Sequence, residues 1–134
     1  MAKLEAIEGI GPKYAEKLRA VDIRSTEALL RAGATPEGRR RLEEKTGIGR
    51  HYILEWINRA DLMRIRGVGE EYSDLLEAAG VDTVAELAQR NPANLHTRMM
   101  EVNKQKRLVR RPPNRDMVVA WVKQAKTLPR VVTY

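Results

Sequence analysis

The sequence predicts an all-α protein of about eight short helices. Three observations carry that prediction. A block repeats with apolar residues at helical spacing, capping residues and prolines mark helix starts, and Gly-apolar-Gly corners separate the helical stretches. Nothing alternates with period two except the tail Arg130 to Tyr134, which is too short to judge.

The repeat organises the chain. A shift of 58 positions lays Ile7 to Tyr14 on Ile65 to Tyr72, then Leu18 on Leu76, Ile23 on Val81, Ser25 on Thr83 and Leu29 on Leu87. After a seven-residue insertion, Ile53 to Ile57 falls on Val118 to Val122, which pairs Trp56 with Trp121. The chain therefore reads as a duplicated unit, residues 1–60 and 61–134. Tyr14, Leu18 and Val21 share one helix face, as do Tyr72, Leu76 and Ala79. Ile53, Trp56, Ile57 and Ala60 form an apolar stripe on a later helix. Ser25, Thr35 before Pro36, and Asn91 before Pro92 mark helix starts, and Thr83 with Glu86 matches a capping box. Gly33, Gly47 and Gly80 stand where helices should stop.

Composition narrows the function classes. The chain of 134 residues is 43% hydrophobic, enough for a core without staples, but holds no Phe, so aliphatic residues must fill it. With no cysteine there is no disulfide framework, thiolate metal site or cysteine nucleophile. No segment has the roughly 18 consecutive apolar residues of a membrane span, and the first ten residues lack the apolar run of a signal peptide. A cytoplasmic protein is the expectation. The net charge of +7 is unevenly placed: +3 over residues 1–60, −3 over 61–100 and +7 over 101–134. A basic final third suggests a polyanionic partner.

The Gly-apolar-Gly corners carry the functional expectation. They are Gly9, Ile10, Gly11; Gly47, Ile48, Gly49; and Gly67, Val68, Gly69. Two glycines permit a sharp turn while the residue between them buries itself. The second glycine opens a helix whose first amides lack partners, an arrangement that attracts phosphate. Lys13 follows the first corner and Arg50 with His51 the second, whereas Glu70 and Glu71 follow the third. Phosphate is therefore expected at the first two, and the acidic pair reads as ordinary helix-start stabilisation.

The run Gly9 to Ala15 followed by Leu18 resembles the helix-hairpin-helix motif of DNA repair and recombination proteins. In that family the hairpin backbone meets DNA phosphates without reading sequence, and paired motifs form a four-helix unit on the minor groove. The resemblance implies two four-helix halves, and the short, apolar connection Asp61 to Arg64 predicts that they pack as one body. The fourth hairpin would fall on Pro112, Pro113 and Asn114, which has lost both glycines and, at the prolines, the amide hydrogens, so it reads as structural. Over nearly its whole length the chain also resembles the bacterial domain-of-unknown-function family 4332. The segments that carry this are Ile7 to Pro12, Ile65 to Leu76, Ala88 to Leu95 and Leu128 to Tyr134. That likeness implies the tandem fold and no catalytic residues.

The densest basic run is Lys104, Lys106, Arg107, Arg110, Arg111 and Arg115, opposed only by Glu101 and Asp116. Charges this close repel unless an anion relieves them, so a binding role is expected, filled by nucleic acid or by an acidic surface such as residues 70–77. Arg39, Arg40 and Arg41 read as a solvated helix face balanced by Glu37, Glu43 and Glu44. Trp56, Trp121, Tyr14 and Tyr72 read as core. His51 and His96 are far apart and short of carboxylate neighbours, so no metal is expected. Ser25, Ser73 and Thr35 show no triad, and Glu70, Glu71 and Asp74 lie on one helix turn without distant partners. The expected function is sequence-independent binding of nucleic acid, double-stranded DNA ahead of RNA, with no enzyme activity, cofactor or membrane. The alternative is a protein-interaction or self-assembly module, in which the acidic middle meets the basic end.

Overall fold

A computed structural model describes residues 2–134. The chain is all-helical: eight α-helices, one 3₁₀ turn and no strand among the described residues. The 3₁₀ turn Leu4–Ala6 leads to α1 (Pro12–Ala20), α2 (Thr26–Gly33), α3 (Pro36–Thr46) and α4 (Arg50–Leu62). There follow α5 (Glu70–Ala78), α6 (Val84–Ala88), α7 (Pro92–Lys106) and α8 (Arg115–Ala125).

Local chemistry accounts for most helix ends. The Ser25, Thr35, Thr83 and Asn91 side chains accept from the amides of Ala28, Gly38, Glu86 and Asn94, each three residues on. Asn114 does the same for Met117 at the start of α8. Gly47 closes α3 in the left-handed conformation. Gly33 instead ends α2 in contact with Ile57, leaving no room for a side chain. Asp22 (φ 68°) and Arg107 (φ 52°) end α1 and α7 in left-handed geometry without glycine, stops that residue type did not advertise.

The chain forms two compact units, Met1–Asp61 with Val131–Tyr134, and Leu62–Arg130. The last four residues, which the repeat alignment places in the second unit, belong to the first. Val132 is buried, the Thr133 amide donates to the Ala34 carbonyl at 2.8 Å, and the Tyr134 hydroxyl donates to Asn58. Arg39 holds this tail. It donates to the carbonyls of Gly33 (2.8 Å) and Thr133 (2.6 Å) and lies over the Tyr134 ring. Only 6% of it is exposed, so it is no part of a solvated arginine face. Burial pulls its pKa below the ordinary arginine value.

The first core gathers Leu4, Ile10, Leu18, Leu29, Ile53 and Trp56. In the second, α8 packs on α6 and α7, and α7 on α5, around Leu75, Leu76, Met99 and Trp121. Positions related by the 58- and 65-residue shifts share geometry: Tyr14 meets Trp56, and Tyr72 meets Trp121, with ring centroids 5.2 Å apart in both.

Candidate nucleic-acid interface

At the first corner, Ile10 is buried and its amide donates to the Ile7 carbonyl. Gly9 has φ 95°, and a Cβ there would stand 3.1 Å from the Trp56 indole nitrogen. Only glycine therefore fits the bend. Gly11 precedes α1 in extended conformation, and the Ala15 amide donates to its carbonyl at 3.0 Å. No side chain caps this helix. Pro12 has no amide hydrogen, and among the described residues the amides of Lys13 and Tyr14 find no acceptor. Lys13 is exposed and makes no ion pair among the described residues.

The second corner is partly occupied by the chain's own groups. The Gly47 amide donates to the Glu43 carbonyl and the Ile48 amide to the Thr46 hydroxyl. The Arg50 amide donates to one Glu43 carboxylate oxygen at 2.8 Å, and Arg50 Nε to the other at 3.2 Å. The helix start expected to receive phosphate at Gly47, Ile48, Gly49 and Arg50 thus already holds a carboxylate, which satisfies the same amide and dipole. Glu43 was assigned from sequence to its own helix face. Nothing in spacing revealed that the turn would carry it seven residues forward onto Arg50.

The third corner repeats the first in outline. Gly67 has φ 91°, its absent Cβ faces Trp121 at 3.3 Å, and α5 starts without a side-chain cap. Glu70 and Glu71 occupy its first turn. The segment aligned with a fourth corner is anchored rather than open. Buried Asn103 grips Val109 through two bonds, His96 meets the Pro113 carbonyl at 2.9 Å, and the Tyr72 hydroxyl donates to the Arg111 carbonyl. Asn114 fills the start of α8.

That anchored loop and the end of α7 display Lys104, Lys106, Arg107, Arg110, Arg111 and Arg115, all exposed. None makes an ion pair or side-chain hydrogen bond among the described residues. Glu101 pairs instead with Arg98 at 3.7 Å. The Tyr72 bond brings α5 up to the loop, yet Glu70 and Glu71 pair with none of these cations. Elsewhere arginines do find carboxylates: Arg19 with Glu5, Arg50 with Glu43, Arg90 with Glu86. Backbone bonds therefore hold the basic segment in place, while its charge is left to solvent. Among the described residues no cluster of three metal-ligating side chains occurs, and no helix is long and apolar enough to cross a membrane.

The family model for a domain of unknown function, DUF4332, matches residues 8–128, a span that holds all three corners and the basic segment. The chain belongs to this family. No curated protein and no solved structure matches it. Membership brings no activity with it, so any functional reading rests on the chain's own residues.

Proposed function

We propose that the protein binds nucleic acid, double-stranded DNA in the first instance, through phosphate contacts that do not read sequence. The observation that carries this reading is the segment Lys104, Lys106, Arg107, Arg110, Arg111 and Arg115, whose charge meets no carboxylate among the described residues. A row of cations held by the backbone and unpaired within the chain is suited to a phosphate backbone, which releases counterions as it binds. In the other unit the uncapped start of α1, with Lys13 beside it, supports the same reading as a helix-hairpin-helix element. The Gly47–Gly49 corner drops out of the contact set, because Glu43 occupies it.

Binding of this kind has a Kd on the order of 10⁻⁴ to 10⁻⁶ M at physiological salt, with a slope of log affinity on log salt near −0.9 per phosphate neutralised. Titrating labelled duplexes of unrelated sequence at several salt concentrations tests it. Arg110→Ala should reduce the slope by about one. Gly11→Asp is the sharper probe. Nothing lies within 4 Å of a Cβ at Gly11, so the side chain fits and caps α1 itself. The variant should fold at least as well as the parent and bind duplex more weakly. Absence of duplex binding at low salt sinks the proposal.

The rival, an interaction module, is favoured by the Glu43 closure and by the acidic first turn of α5. It requires oligomers or a protein partner where duplex binding fails. Light scattering across ionic strength separates the two.

A further inference from the structure

The first unit contains a hollow of about 410 Å³ lined by Pro36, Arg39, Arg40, Arg50, His51, Leu54 and Tyr134. No Asp or Glu is among its lining residues. Arg39, nine-tenths buried, spends two donors on the neutral carbonyls of Gly33 and Thr133 and makes no ion pair among the described residues, Glu37 acting on it only at longer range. Arg40 is exposed and makes no ion pair among the described residues. Glu43 engages Arg50 only through the amide and Nε, leaving both terminal guanidinium nitrogens without an acceptor among the described residues. A buried guanidinium without a carboxylate in direct contact is costly to hold, and planar guanidinium forks match phosphate oxygens in pairs. Leu54 lines the hollow together with Tyr134, whose ring is fixed by its hydroxyl bond to Asn58 and by Arg39 over its face. The volume lies within the range of small-ligand pockets, roughly 300–1,000 Å³.

We infer that this hollow binds a phosphomonoester carried on a planar organic group, as in a nucleoside 5′-monophosphate. Arg39, Arg40 and Arg50 meet the phosphate, while Leu54 and the Tyr134 ring receive the planar part. Free mononucleotides and the phosphorylated end of a strand share this chemistry. The inference draws on residues of the first unit alone, and it stands whether or not the segment 104–115 binds duplex.

Adenosine 5′-monophosphate and adenosine are the probes, titrated into the full chain at low salt with calorimetry and amide chemical-shift mapping. The monophosphate should bind with a Kd below about 1 mM, shifting the amides of Arg40, His51, Leu54 and Tyr134, and adenosine should not. Arg40 makes no ion pair or side-chain hydrogen bond among the described residues, so Arg40→Glu should fold normally and bind roughly tenfold more weakly or worse. Lys17→Glu, which changes charge equally on exposed α1, should leave affinity within about twofold. A 5′-phosphorylated oligonucleotide is compared with its 5′-hydroxyl form. A preference lost in Arg40→Glu assigns the site to strand ends, and equal binding assigns it to free monophosphates. The inference is overturned if adenosine monophosphate fails to bind, if the two charge variants lose affinity equally, or if the shifts gather on residues 104–115.

Discussion

Replacing Gly9 with alanine should destabilise the first unit by about 2–5 kcal/mol, from two costs that add at one atom. The residue sits at φ 95°, where an L side chain is strained by roughly 1–2 kcal/mol. The new Cβ would stand 3.1 Å from the Trp56 indole nitrogen, and Trp56 is 1% exposed and packed against Tyr14, so it cannot withdraw. Overpacking of that kind costs about 1–3 kcal/mol. Gly11→Ala is the matched control. Gly11 has φ −88°, and a Cβ there meets nothing within 4 Å. Its lost preference at the helix cap and its stiffer unfolded chain offset each other to within about 1 kcal/mol. Gly67→Ala should behave like Gly9→Ala in the second unit, slightly milder because Trp121 stands at 3.3 Å. Urea denaturation followed by far-ultraviolet circular dichroism reads all three. Should Gly9→Ala and Gly11→Ala prove equally stable, the indole does not dictate glycine at the corner, and that reasoning is wrong.

Arg39→Ala should cost about 2–4 kcal/mol, since two charge-assisted bonds are lost and a tail is freed. Deleting residues 131–134 should cost a similar amount, and the two changes together less than their sum, because both act on one contact. Glu43→Ala should strengthen duplex binding more than Glu44→Ala does. Both remove one charge, but only the first uncovers the Arg50 amide and guanidinium, and equal gains in an anisotropy titration would refute this. The Arg19 hydrogen bond holds Glu5 below its ordinary pKa of 4.5, and the Thr26 hydroxyl does the same for Glu27. A lowered folded-state value means these contributions are present above pH 4.5 and are lost as pH falls through and below it. Thermal unfolding between neutral and acidic pH should show the decline, and Glu5→Gln should flatten it.

The helical fold was legible in the residues because its signals are local. Ser25, Thr35, Thr83 and Asn91 each act on an amide three positions on, and apolar spacing places Leu18, Ile53 and Trp56 inward whatever the rest of the chain does. Gly9 and Gly67 announced their turns because few backbones tolerate their dihedral angles. The basic segment was equally visible, since charge density needs no contact map. Tertiary structure alone decided which polar groups are already satisfied. Glu43 reaching Arg50 closes one of two corners that look equally open as text. Arg39, read as one of three solvated arginines, is buried by a tail that lies 94 residues further along the chain. Hydrogen bonds between distant residues depend on where the fold brings each group, and no periodicity encodes them. Spacing could therefore nominate the helices and the cations, while the division between occupied and unoccupied charge waited on the packed chain.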